Sequence, residues 1–142
     1  MSFLSFLFGD AEKPPPDPYW QRDDKARFFR LLALKTTRRD LAGRGGVFVV
    51  FHGGVQPRWV YVGSTANLGA TVMALQDHPD LTTLEARGGL FMTWAYIKAD
   101  KRDGVVTYLR ARMKPELDPS DLDKALGCAP KGARPQPVQL PG

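Results

Sequence analysis

The chain has 142 residues, 43% hydrophobic and 25% charged, the length of one ordinary domain and the composition of a globular protein with a single core. Its formal net charge of +5 suits an anionic partner (nucleic acid, acidic lipid or an acidic protein face), and plain solubility accounts for it equally well. The lone Cys128 excludes an intramolecular disulfide and a cysteine metal cluster, so nothing calls for an oxidising compartment and a cytoplasmic location is expected.

Residues 1–8, MSFLSFLF, gather Phe3, Leu4, Phe6, Leu7 and Phe8 in one short run. The run lacks a basic leading region and is too short for a secretory signal, and no window approaches the roughly 18 apolar residues that a transmembrane helix needs. Apolar surface of this density must be buried, on the chain's own core or against a protein partner or a membrane surface. Pro14, Pro15 and Pro16 predict an extended polyproline II spacer, which sets 1–16 apart as an apolar segment with a stiff linker and favours the outward choice.

Asp17-Pro18 carries helix-start chemistry and predicts a helix over about 18–36, with Trp20, Phe28, Leu31 and Leu32 near one face and Arg22, Arg27 and Arg30 away from it. Lys35, Arg38, Arg39 and Arg44 continue the basic run, which can meet phosphates or stay solvated. The stretch 46–68, GVFVVFHGGVQPRWVYVGSTANL, then reads as a hairpin. Residues 47–51 are unbroken strand formers, 58–62 alternate, and the linker between them has turn residues.

Downstream, 66–75 predicts a helix with Leu68, Val72 and Leu75 at helical spacing, and 80–87 allows a second. His78 precedes a proline and reads as a turn residue, while His52 falls on the hairpin loop without a second ligand, so no metal site is expected. Gly88-Gly89 breaks the helix before a central strand over 90–97. Asp103 is placed to cap a helix over 104–114 with Val105, Val106, Leu109 and Met113 inward and Arg110, Arg112 and Lys114 outward. Asp118-Pro119 starts a last short helix that Gly127 ends, and the proline- and glycine-rich 128–142 predicts a disordered tail.

The order of these features resembles the GIY-YIG nuclease domain, with Gly46-Val47-Phe48 as the first triplet and Tyr61-Val62-Gly63 as the second. Asn67-Leu68 matches the family's entry to its first helix, and Lys114-Pro115 its closing helix stop, so the likeness spans about 46–118. The resemblance implies an α+β fold, a three-stranded antiparallel sheet flanked by helices. With the predicted N-terminal helix added, the domain runs over 17–127.

For an active member the resemblance implies magnesium-dependent DNA cleavage. A first-triplet tyrosine assists the attacking water, a helix arginine steadies the phosphate and a glutamate holds the cation. On this chain those roles fall on Phe48, Thr71 and Val106, and a late asparagine falls on Asp118. Only Tyr61 and the triplet glycines persist. Glu85, Asp103 and Glu116 are the acids near enough in sequence to substitute, and a shift of three residues would bring Asp103 towards the metal position.

Loss of three distinct roles points to a non-catalytic binding or scaffolding module without a cofactor. Its partner contacts would be Phe3, Leu4, Phe6, Leu7 and Phe8, and its non-specific nucleic-acid contacts Arg38, Arg39, Arg44, Arg110, Arg112 and Lys114. The alternatives are a divergent Mg-dependent endonuclease using Tyr61 and Asp103, and a peripheral membrane adaptor resting on residues 3–8 and nearby basic residues.

Overall fold

The computed structural model describes residues 14–53, 58–128 and 132–142, so the apolar segment Phe3, Leu4, Phe6, Leu7 and Phe8 lies outside the described residues. The fold is mixed α+β, built on a four-stranded antiparallel sheet in the order β1-β4-β2-β3. Its strands are β1 (Phe29–Arg30), β2 (Gly46–His52), β3 (Arg58–Thr65) and β4 (Leu90–Ala95). The helices are α1 (Leu68–Asp77), α2 (Pro79–Glu85), α3 (Ala99–Met113) and α4 (Pro119–Leu126), and a 3-10 turn, Leu31–Ala33, follows β1. Among the described residues no helix is long and apolar enough to cross a membrane.

All seven residues of β2 are buried, as an unbroken apolar run requires of a strand covered on both faces. Phe48 and Val50 enter one core with Leu68, Val72, Leu81, Trp94 and Leu122, which puts α1, α2 and α4 on that side. Val47, Val49 and Phe51 enter a second core with Val105, Val106, Leu109 and Met113, which puts α3 on the other. In β3 the register shifts: Val50 lies opposite Tyr61 but Phe51 lies opposite Trp59, leaving Val60 as a bulge. Val60 and Tyr61 therefore both face the first core, while Val62 faces the second.

The fourth strand comes from the region expected to be helical, which corrects both the three-strand count and the added N-terminal helix. Aspartates in this stretch bind nearby amides and so compete with helix formation. Asp17 Oδ1 accepts from the Tyr19 amide at 2.7 Å, and Asp23 Oδ1 from the Lys25 and Arg27 amides at 2.9 and 2.8 Å. Tyr19 and Ala26 take left-handed φ values of 62° and 60°, which no helix admits. The extended chain runs along β4 instead: the Gln21 amide donates to the Trp94 carbonyl at 2.9 Å, and Thr93 Oγ1 donates to the Gln21 carbonyl at 2.8 Å.

The tail expectation is corrected over 132–142. Val138 is buried in the second core with Leu140 beside it, the Gln136 amide donates to the Gly104 carbonyl and the Gln139 amide to the Pro16 carbonyl. Gly104 is needed for this approach, since a Cβ there would stand 2.6 Å from the Arg134 carbonyl oxygen. The domain thus extends past 127, and the strap 14–28 and the tail together cover the second core beside α3.

Helix caps follow the local sequence. Asn67 Oδ1 accepts from the Ala70 amide, His78 Nδ1 from the Asp80 amide and Asp118 Oδ1 from the Ser120 amide, each at the start of its helix. Asp103 is not a cap, because α3 begins a full turn earlier at Ala99 and carries Asp103 inside it. His52 is not in the loop either: it ends β2, is buried, and its Nδ1 lies 3.3 Å from the Gly89 carbonyl.

Candidate functional site

Phe48, Tyr61, Thr71 and Val106, the positions singled out by the expected resemblance, do not meet around one cleft. Phe48 and Tyr61 are buried on the first face, their ring centroids 5.8 Å apart, while Val106 is buried in the core on the opposite side of the sheet. Thr71 is buried on α1 and donates through Oγ1 to Thr65 Oγ1 at 2.8 Å. Gly63 is the residue that lets the two rings lie together, since a Cβ there would come within 2.8 Å of the Tyr61 ring and 2.9 Å of the Phe48 ring.

The Tyr61 hydroxyl instead belongs to a polar clamp. It donates to Asp123 Oδ1 on α4, and the same carboxylate accepts from Arg110 on α3 at 2.7 and 3.0 Å. Arg110 also reaches the Val62 carbonyl with Nε at 3.0 Å and NH2 at 2.7 Å. Burial, with the bond to Asp123, pushes the Tyr61 phenol well above its ordinary range, so the hydroxyl stays protonated. Burial opposes the Arg110 charge, but its bonds to Asp123 outweigh that, and the guanidinium is held charged beyond its already high ordinary value.

The clamp also protects a sheet edge. Among the described residues β3 has β2 on one side only, and its outer groups find partners in turn. The Val60 carbonyl accepts from the Leu117 amide at 3.3 Å, the Val62 carbonyl accepts from Arg110, and the Ser64 amide donates to Cys128 Sγ at 3.2 Å. Arg110 reaches round this edge from the α3 side to α4 on the other, tying both layers to the sheet.

The acids considered as substitutes are dispersed. Glu85 accepts from Arg30 and from the Leu90 amide, and Glu116 pairs with Arg58 at 2.7 Å. Asp103 borders a separate recess with Ser64, Thr65, Arg102 and Cys128, apart from the Tyr61 hydroxyl. Among the described residues no group of three or more His, Cys, Asp or Glu side chains is placed to hold a metal ion.

Of the expected basic contacts, Arg110 is drawn inward and is corrected to a structural residue. Arg38 is held twice by Asp40 at 2.9 Å and lies over the Phe29 ring, and Arg44 lies over the Tyr96 ring. Arg39 and Lys114 are exposed, as is Arg112, which lies over the Tyr108 ring. Arg38, Arg39 and Arg44 precede β2 in a loop anchored in the first core by Leu34 and Leu41, whereas Arg112 and Lys114 end the helix on the opposite face. They form two groups rather than one patch.

What the sequence reading missed is an aromatic cleft of about 740 Å³ lined by Phe28, Phe51 and Phe91, with Arg22, Arg27 and Arg30 at its rim. Arg27-Phe28-Phe29-Arg30 was its visible signal, hidden by assigning those residues to opposite faces of a helix. No family model matches the chain, and neither a curated protein nor a solved structure matches it.

Proposed function

We propose that the chain is a non-catalytic, GIY-YIG-like binding or scaffolding module, its contacts supplied by the apolar segment 3–8 and by exposed basic residues such as Arg39, Arg112 and Lys114. The observation that carries this reading is the fate of the catalytic positions. Phe48, Thr71 and Val106 are buried apolar or internally bonded side chains in two cores separated by the sheet, and the one surviving phenol, Tyr61, is tied up by Asp123. Phe48 and Val106 offer a phosphodiester neither a proton acceptor nor a cation ligand, and the Asp123 carboxylate beside Tyr61 is taken up by Arg110.

Incubation of purified chain with magnesium or manganese and single-stranded, duplex or branched DNA tests it, with no cleavage expected. Metal-dependent nicking that disappears in Tyr61→Phe would overturn the reading. A pull-down with and without residues 1–9 then separates the contacts. Loss of one dominant protein on truncation assigns it to the apolar segment, and nucleic acid retained by both forms and released by salt assigns that contact to the basic residues.

A further inference from the structure

The cleft beside β1 combines three features. Its floor is aromatic, with Phe28 edge-on to Phe51 at 5.1 Å and Phe91 stacked on Phe51 at 6.0 Å. Its rim is basic: Arg22 lies 3.9 Å over the Phe28 ring, Arg30 lies 5.3 Å over the Phe91 ring, and the Arg27 side chain is 68% exposed. Each arginine has a partner, Arg27 with Asp23 at 3.3 Å, Arg30 with Glu85 at 2.8 Å and Arg22 with the Gly142 oxygen at 2.7 Å, and Arg27 is the more exposed of the two that pair with carboxylates. A volume of about 740 Å³ is within the range of pockets that bind small molecules.

The chain carries a segment with the matching pattern. Phe3-Leu4-Ser5-Phe6-Leu7-Phe8 is apolar and is followed within four residues by Asp10 and Glu12, with Lys13 next, so an apolar block precedes two acids ahead of one base. The described chain starts within reach of the cleft. The Pro16 carbonyl is held by the Gln139 amide at 2.9 Å, and Gly142, three residues further and at most about 11 Å away when extended, lines the cleft. From Pro14 back to Phe8 is six residues, an extended reach of about 20 Å, so the apolar block can arrive without disturbing the strap. Attachment to the same chain gives it an effective concentration in the millimolar range, which a separate apolar peptide would have to match.

We propose that in the isolated chain residues 3–8 seat in this cleft in cis, their aromatic side chains on Phe28 and Phe91 and Asp10 and Glu12 against the arginine rim. This deepens the reading above by giving the partner-contact segment a resting seat that a partner must displace. It rests on that reading only for the segment's later use, because the seat itself is tested without a partner.

The test is photo-cross-linking of the full chain with p-benzoylphenylalanine in place of Phe6, using an equal mixture of isotopically light and heavy chains. The expected result is cross-links to peptides containing Phe28 or Phe91, within light or within heavy chains, insensitive to dilution. Arg27→Glu should weaken them several-fold, and adding Asp10→Lys and Glu12→Lys to that variant should restore them. Cross-links elsewhere on the fold, or ones that charge reversal leaves unchanged, would overturn the proposal. Light-to-heavy cross-links would overturn it in favour of a second copy as the occupant. Cross-links abolished by added oligothymidylate in the absence of any effect of Arg27→Glu would give the cleft to nucleic acid instead.

Discussion

The two faces of the sheet are covered by different means. On one side α1, α2 and α4 lay apolar stripes on Phe48, Val50 and Tyr61, and the Arg110–Asp123–Tyr61 clamp locks the edge. On the other, α3 covers only part of the surface, and the strap 14–28 and tail 132–142 complete it with irregular backbone and a few anchors, Trp20, Phe28, Val138 and Leu140. A helix presents apolar residues at every turn, whereas an irregular segment has no repeating face, so its cover is interrupted. The aromatic cleft opens where the strap meets β4 and the Phe51 end of β2.

The largest expected effect therefore comes from breaking the edge lock. Arg110→Ala removes both bonds to Val62 and strands Asp123, whose side chain is 16% exposed, beside a phenol alone. Removing one partner of so buried a pair costs about 3–5 kcal/mol. At 2–4 °C per kcal/mol for a chain of this size, the melting midpoint should fall by roughly 10 °C. Arg110→Lys keeps the charge but not the fork, and should recover only a part. A loss below about 1 kcal/mol would show that the two layers do not depend on the clamp.

Removal of 132–142 comes next and strikes only the strapped side. It uncovers the surroundings of Val138 and Leu140 and removes the partner of the Pro16 carbonyl, at a cost of at least ~2 kcal/mol for the buried side chain and its neighbours. Hydrogen exchange should quicken along the strap and α3 while the α1 amides keep their protection. Equal loss on both faces would mean the two covers are one cooperative unit.

This asymmetry also marks how far the sequence was legible. The β2–β3 hairpin, α1, β4 and the Asp118-capped α4 followed from runs, periods and caps within a few residues of one another, and each appears within a few residues of its expected bounds. In sequence the strap reads as a helix because Asp17-Pro18 and an apolar period look helical, and only Asp23 with its neighbouring amides and the outer edge of β4 decide otherwise. The tail looked idle because a lone Val138 carries no period; its burial depends on Gly104, far away in sequence. The clamp was illegible for the same reason. Arg110 and Asp123 sit on different helices and meet across a strand edge that the sequence does not draw, so Arg110 looked like one more surface charge.

Within the clamp, Tyr61→Phe is a milder cut than Arg110→Ala. It removes one bond to Asp123, which keeps both contacts to Arg110, so about 1 kcal/mol should be lost. Because the folded phenol titrates above its unfolded value, its contribution is complete below about pH 10 and declines as pH rises beyond it. Urea midpoints of wild type and Tyr61→Phe should accordingly differ at neutral pH and converge in strong alkali. A constant difference would mean that the hydroxyl is not the titrating element.

The smallest effect separates the two faces at acid pH. Asp23 holds the strap's turn, and the bond from the Arg27 amide lowers its carboxyl below the ordinary 3.8, against a weaker opposing effect of desolvation. On the other side, Asp40 is lowered by the Arg38 hydrogen bonds. A carboxyl with a folded pKa below its unfolded one binds fewer protons folded than unfolded between the two values. Each contribution is therefore present above the unfolded value and lost as pH falls through the folded one. Asp23 is 24% exposed and its partners all lie within its own turn, so its titration should relax the strap without unfolding the chain. The amide proton shifts of Lys25 and Arg27 should move together with a midpoint below 3.8, while the Ala70 amide, capped by the uncharged Asn67, stays still. A midpoint at or above 3.8 would show that the Asp23 turn does not hold the strap in solution, and movement of the Ala70 amide in step with it would mean that both faces loosen at once.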